Sequence, residues 1–275
     1  MVLHPLRKIP LPAHAATAND AWLAELDTQL SGSDADWYRI ARDTLFALWH
    51  PDADSYDEML ARSSAGSRVA LLALDPHNVT LEPEYYDEID VEKFARVKPL
   101  LCLWYGFDRS PAGGQNVDLG VRLRRLLAPR VFAKCGDNFK CFQHVEFSFG
   151  YNMEVGDNVV VHRHVLLDDR GGIELQNRVS IADYANIYSH THSIVDQVDV
   201  TTAKTVLEED VRITYHATVL AGVKVARNSM VGAVAVATKN VRAYHVNVGI
   251  PAKSVRVKPN APPEAYATER VGHRD

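Results

Sequence analysis

A strict period of six residues governs the second half of the chain. Every sixth position from Phe149 gives Val155, Val161 and Leu167. After a two-residue slip the series continues as Leu175, Ile181 and Ile187, and after a longer interruption as Leu207, Ile213, Val219, Val225, Val231 and Ala237. The fifth position of each hexad is also restricted. Val159, Val165, Val179, Ala185, Val211, Ala217, Val223, Ser229, Ala235 and Val241 are small or β-branched, and only Met153 and Gly171 depart. A helix cannot carry this pattern, because its faces recur every ~3.6 residues. Short strands joined by tight corners can. An aliphatic side chain points inward from each strand, a small one fits the corner beside it, and stacked coils bury one apolar column. The period leaves the hand of the coil open, although parallel crossovers are normally right-handed. Open solenoid ends template aggregation. The residues before the repeat are therefore expected to cover the first coil, and those after Val241 to close the last.

Residues 16–130 follow a different grammar and read as helical. From a cap at Asn19, the residues Trp22, Leu23, Leu26 and Leu30 recur at helical spacing. A second stretch puts Trp37, Ile40, Ala41, Leu45 and Leu48 on one face and ends at Pro51. Further helices are expected over Glu88–Trp104 and Val117–Leu127, with Ser63–Gly66 and Ser110–Gly114 as loops. The basic cluster Arg122, Arg124 and Arg125 reads as the solvated face of the last of these. The expected organisation is an α-helical region over 1–130, a mainly β solenoid over 131–258 and a C-terminal tail over 259–275.

Composition narrows the function classes. A formal charge of −5 with no basic block argues against a nucleic-acid surface. No apolar run approaches the ~18 residues of a membrane span. The first residues, Met1 to Ala16, hold two basic side chains but no continuous apolar core, so a signal peptide is not expected. Cys102, Cys135 and Cys141 form no C-x-x-C pair, and an odd count without a framework suits a reducing cytosol. A cytoplasmic protein is the expectation.

Several segments resemble the left-handed β-helix acetyltransferases, especially the maltose and galactoside O-acetyltransferase group. They are Val145-Glu-Phe-Ser-Phe-Gly-Tyr-Asn152 running into Val155-Gly-Asp-Asn158, then Ile187-Tyr-Ser-His-Thr-His192, and finally Val231-Gly-Ala233, Ala237-Thr-Lys239 and Gly249-Ile-Pro-Ala-Lys253. The resemblance spans about Val131 to Lys258 and implies a left-handed parallel β-helix. It also implies acetyl-CoA as co-substrate, a small hydroxylated acceptor and a homotrimer with active sites between subunits. His192 falls on the family's catalytic histidine, which takes the proton from an acceptor hydroxyl as that hydroxyl attacks the thioester. Such a base is worth roughly 10² to 10⁴ in rate, and histidine titrates in the useful range.

Residues 193–206 interrupt the hexads beside His192, so a loop leaves the coil there. Asp196 and Asp199 on this loop read either as solvated loop acids or as groups that orient the imidazole or bind the acceptor. Other roles follow from the resemblance. Asp169 matches a family acidic position that touches a sugar hydroxyl. Gly232, Ala233, Thr238 and Lys239 are expected to line the pantetheine arm of CoA along adjacent coils. Lys253 and Arg256 are expected to reach its phosphates. His190 matches a small bystander position.

Three features depart from the family. His162 stands where an acceptor-binding Asn is usual, and an imidazole N–H is expected to donate in its place. Arg212-Ile-Thr-Tyr215 replaces Trp-Ile-Gly-Ser, putting bulkier Thr214 and Tyr215 near the thioester channel. The helical region is also far longer than the family's N-terminal segment, and is expected either to lid an acceptor site or to mediate assembly. Two rival readings come from the residues. A non-catalytic scaffold follows if Thr214 and Tyr215 close the channel. A zinc site, as in the γ-class carbonic anhydrases of the same fold, would use His162, His164, His190 and His192, but the His-x-x-x-x-His spacing of that family is missing. No metal is expected.

Overall fold

The structure is a computed structural model, and it describes residues 9–53, 55–196 and 198–267. The expectations for the extreme N-terminus (1–8) and for the end of the tail (268–275) lie outside those residues.

Among the described residues, six α-helices precede the solenoid: α1 (Ala13–Leu30), α2 (Trp37–Trp49), α3 (Tyr56–Arg62), α4 (Ala65–Leu72), α5 (Val91–Arg109) and α6 (Val117–Val131). α1 starts six residues earlier than its expected cap, directly after Pro12, because Ala13–Ala18 lacks a residue that would stop it. α2 is capped by Asp36, which accepts from Arg39 N at 3.1 Å. Asp90 does the same for α5 through Lys93 N.

The solenoid follows as a stack of about six coils with three parallel faces. The first face runs through Lys134–Cys135, Met153–Val155, Ile173–Leu175, Thr205–Leu207 and Lys224–Val225. The second runs through Lys140–Cys141, Val160–Val161, Ser180–Ile181, Arg212–Ile213, Met230–Val231 and His245–Val248. The third runs through Glu146–Phe147, Leu166–Asp168, Asn186–Tyr188, Thr218–Val219 and Val236–Ala237. The inward residues of the hexads, from Val155 to Ala237, are buried as one column. The corners around the second face turn through non-glycine residues with φ between 55° and 64°, such as Asn158, His164 and Asn228. Corners this tight need the left-handed region, which is open to few residues other than Gly and Asn.

The two-residue slip has a physical basis. Cys135 pairs with Val155 and Val155 with Leu175, a twenty-residue repeat, whereas Leu207 pairs with Val225 after eighteen. The extra residues sit where the third face turns into the first, at Ser148–Asn152 and Asp168–Gly172. Phe147, rather than Phe149, is therefore the strand residue of the first coil; Phe149 fills the enlarged corner and is completely buried.

Both ends are closed. Trp104 of α5 meets Phe147 with ring centroids 5.3 Å apart, and Phe132 packs on Phe147 and Phe139 at 5.2 and 5.7 Å. This aromatic floor joins the helical core to the β column. At the far end, Lys253–Val257 pairs antiparallel with His245–Val248, and Val257 is buried beneath the turn.

Contrary to the solvated face expected from sequence, Arg124 is buried, with its guanidinium on the buried Asp108 carboxylate and on the Cys141 carbonyl (3.2 Å). Asp108 also accepts from His144 N at 2.7 Å. α6 turns this residue toward the first coil, where the solenoid offers it partners. Burial raises all three cysteine thiols, Cys102 to about 12 and Cys135 to about 11, so they stay protonated. Among the described residues, no helix is long and apolar enough to cross a membrane.

Candidate active site

A cleft of about 1080 Å³ opens beside the loop that interrupts the repeat. One wall is the third face of the first coils, with Glu146, Ser148, Leu166, Asp168 and Tyr188. The second wall is supplied by the helical region, through the 3₁₀ turn Glu82–Tyr85, the following Tyr86–Glu88 and the end of α5. The loop itself contributes His190, His192, Val198 and Val200. The long N-terminal region therefore covers the first coil and also forms one side of this cleft.

The loop leaves the coil as a two-stranded ribbon. His190–His192 pairs antiparallel with Val200–Thr202, with His192 opposite Val200. Its base is pinned where Ala203 N donates to Ser189 O at 2.8 Å. Gly171 makes that closure possible, since a Cβ there would stand 2.4 Å from Ser189 O and 2.7 Å from Ala203 N. At the tip, Ile194 and Val195 are fully exposed and Asp196 accepts from Val198 N at 3.0 Å. Asp196 thus shapes the turn and is not among the residues lining the cleft.

Asp168 is the buried anchor of the site. Its carboxylate accepts from Ser148 Oγ (2.7 Å), from Ser189 N (3.2 Å) and from His190 Nδ1. The His190 ring meets His192 edge to face, with centroids 5.2 Å apart, and Tyr188 lies on its other flank at 6.3 Å. Opposite stands Arg170, buried and paired with Glu88, with its guanidinium 4.1 Å above the Tyr86 ring. Tyr86 in turn donates to Glu82 at 2.6 Å, and burial holds its hydroxyl well above the usual phenol range.

The residues expected from sequence are distributed unevenly over this geometry. His192 lines the cleft on its exposed ribbon. Asp169 does not: it is completely buried, and its carboxylate takes Phe149 N (2.7 Å) and Asn152 N (3.1 Å) of the coil below. The enlarged corner leaves those amides without strand partners, and Asp169 supplies the acceptor. Burial pushes this carboxyl up to about 6, against the lowering pull of the amides. Its neighbour Asp168 faces the cleft instead, because strand alternation sends adjacent side chains to opposite sides.

His162 lies at the corner between the second and third faces, away from the cleft. It stacks on Phe142 at 5.0 Å, with Asp183 3.7 Å from Nδ1. His164 sits in its own stack with His144 and Tyr184. The four imidazoles are therefore split between that corner and the projecting ribbon, and the zinc arrangement does not form. Among the described residues, no group of three or more His, Cys, Asp or Glu is arranged to hold a metal ion.

The residues assigned to CoA lie near the far end of the solenoid. Gly232 and Ala233 precede the strand Val236–Ala237, while Thr238 and Lys239 follow it, so the four share one coil and do not run along adjacent ones. Gly232 is buried, and a Cβ there would come 2.5 Å from Val248 Cγ1, so this glycine admits the closing strand. Val236 N donates to Gly249 O and Ala252 N to Val236 O, which ties the Gly-Ile-Pro-Ala turn to the same strand. Lys239, Lys253 and Arg256 are exposed, and among the described residues none is in an ion pair. Thr214 turns its hydroxyl to Val231 O (2.8 Å), and Tyr215 stands 58% exposed, so both bulky replacements sit on the coil surface.

No family model matches the chain. Galactoside O-acetyltransferase of Escherichia coli (strain K12) is 24% identical over 140 residues, covering 50% of this chain and 69% of that protein. A maltose O-acetyltransferase from Clostridium difficile 630 superposes with a TM-score of 0.55 at 21% identity, over 64% of this chain and 92% of the other. A hexapeptide-repeat acetyltransferase from Vibrio cholerae O1 biovar eltor, solved with acetyl-CoA, gives 0.55 at 19%, over 68% of this chain and all of the other. The chain has the hexapeptide-repeat acetyltransferase fold. A galactoside acetyltransferase in complex with coenzyme A gives the same TM-score, 0.55, at 22% identity. These acetyltransferases are matched over most of their own length, and about a third of the present chain falls outside each superposition.

Signals for Asp168 and His190 were available in the sequence only as the first Asp of an Asp-Asp pair and the first His of a His-Thr-His. Both histidines line the cleft, whereas which of the two aspartates faces it depends on strand register.

Proposed function

We propose that the chain is an acetyl-CoA-dependent O-acetyltransferase acting on a hydroxyl of a sugar-like or other small acceptor, with His192 as general base. The observation that carries this reading is that His192 lies in a large cleft walled by polar and aromatic side chains, on a ribbon projecting from an acetyltransferase fold. The relatives' names and their acetyl-CoA and coenzyme A complexes support the choice of co-substrate.

The acceptor hydroxyl hydrogen-bonds to the His192 imidazole, which takes its proton as the oxygen attacks the thioester carbonyl carbon. The new C–O bond gives a tetrahedral intermediate. Its collapse breaks the C–S bond, and the thiolate of CoA recovers the proton from His192. Pantetheine lies along the outer coil surface near Ala233 and Thr238. Lys239, Lys253 and Arg256 supply cations for the phosphates. A homotrimer completes the cleft, with the exposed Ile194 and Val195 of each loop covered by a neighbouring subunit.

Thiol release from acetyl-CoA, measured with a panel of methyl glycosides, tests the reading. Wild type releases CoA in step with acetylated product, and His192→Ala loses at least about 100-fold in kcat while keeping its fold by circular dichroism. Unchanged turnover in the variant removes His192 as the base.

A further inference from the structure

Asp168 and His190 form a carboxylate–imidazole pair that the base assignment does not use. Asp168 is buried and accepts three hydrogen bonds, from Ser148 Oγ, Ser189 N and His190 Nδ1. Its backbone is held as well, because Ser189 Oγ donates to Asp168 O at 2.5 Å. An ionised carboxylate can only accept, so Nδ1 of His190 carries the proton. In the neutral ring this leaves Nε2 as a lone-pair acceptor. His190 lines the same cleft as His192, and the two ring centres are 5.2 Å apart. A carboxylate bond of this type costs the ring its freedom to flip or change tautomer, and a merely solvated histidine has no need of it.

The geometry points to His190 as an acceptor-positioning residue. Resting on the O-acetyltransferase reading above, its Asp168-fixed Nε2 receives a second donor of the acceptor, a hydroxyl or ammonium next to the hydroxyl that reacts at His192. The site then selects molecules that carry two neighbouring donors on one small ring or chain, and discriminates against lone alcohols. A site built to accept from a substrate hydroxyl rejects analogues lacking it, because its buried polar group is left unpaired. The cleft is otherwise compatible with a polyol. Tyr188 borders His190, Tyr86 lies opposite, and the Arg170 charge is already neutralised by Glu88.

The test compares methyl α-D-glucopyranoside with cyclohexanol as acceptors, following CoA release by the full-length wild type and His190→Ala. Cyclohexanol keeps a ring and a hydroxyl but lacks neighbouring donors. Wild type is expected to favour the glycoside at least tenfold in kcat/KM. His190→Ala is expected to erase that preference by raising KM for the glycoside. Imidazole ¹⁵N spectra supply a readout independent of turnover: His190 is protonated at Nδ1 in wild type, and Asp168→Asn releases it to a tautomer mixture. An unchanged preference in His190→Ala, or a wild-type His190 protonated at Nε2, overturns the inference. If wild type binds acetyl-CoA in calorimetry but acetylates neither probe, the inference falls while the co-substrate reading stands; if acetyl-CoA does not bind, both fall.

Discussion

Adjacent aspartates carry opposite duties in this molecule. Asp168 faces the cleft and holds His190, while Asp169 points into the corner and holds the amides of Phe149 and Asn152. Replacing Asp169 with Asn turns an N–H toward one of those donors, and is expected to cost about 1–3 kcal/mol of stability with acetyl-CoA binding unchanged. The pH dependence has a defined sign. Burial raises the folded carboxyl from 3.8 to about 6, so the unfolded chain loses its proton first as pH climbs. The stability this group contributes is full below about pH 4 and is lost through about pH 6, by an amount on the order of 3 kcal/mol. Urea midpoints of wild type and Asp169→Asn should therefore differ more at pH 4 than at pH 7, and a larger gap at pH 7 contradicts the assignment. Sequence resemblance pointed through a contiguous motif to His192, which lines the cleft. It chose Asp169 over Asp168 and passed over His190, because contiguity does not say which side of a two-residue corner insertion faces out.

Among the elements, the hexads were readable to the residue: the inward series from Val155 to Ala237 is the buried column. The helices were readable as amphipathic stripes, but not their docking. Nothing in the periodicity indicates that Arg124 would meet Asp108 across the first coil, or that Tyr86 and Glu88 would wall a cleft. Trp104 seats the helical region on the aromatic floor of the solenoid. Trp104→Ala is expected to cost about 3–5 kcal/mol, seen as a lower urea midpoint together with new dye-binding apolar surface. A loss under about 1 kcal/mol would show that α5 and the first coil are only loosely joined. Glu88→Ala frees the buried Arg170 from its partner, and breaking such a pair typically costs about 3–5 kcal/mol before relaxation. Its readout is a raised acceptor KM with unchanged acetyl-CoA affinity, as expected of a wall that touches only the acceptor side.

At the scale of the whole molecule, the proposed division of labour is spatial. The first coils, the helical region and the projecting ribbon form the acceptor side, and the last coils with Lys239, Lys253 and Arg256 form the CoA side. Within one subunit the two groups lie at different levels of the stack, which is why the proposal places the working site between subunits. Sedimentation is expected to give three times the 30.6 kDa chain mass, and Ile194→Asp combined with Val195→Asp is expected to shift the population toward monomer. A wild-type monomer at micromolar concentration removes the inter-subunit site. The claim on which all else depends is that this fold still takes acetyl-CoA, and calorimetric titration of acetyl-CoA into the wild-type chain and His192→Ala tests it most directly. The account predicts saturable binding to both proteins at one site per chain, weakened at least tenfold by the Lys253→Ala, Arg256→Ala double variant; no saturation of wild type by millimolar acetyl-CoA would contradict it.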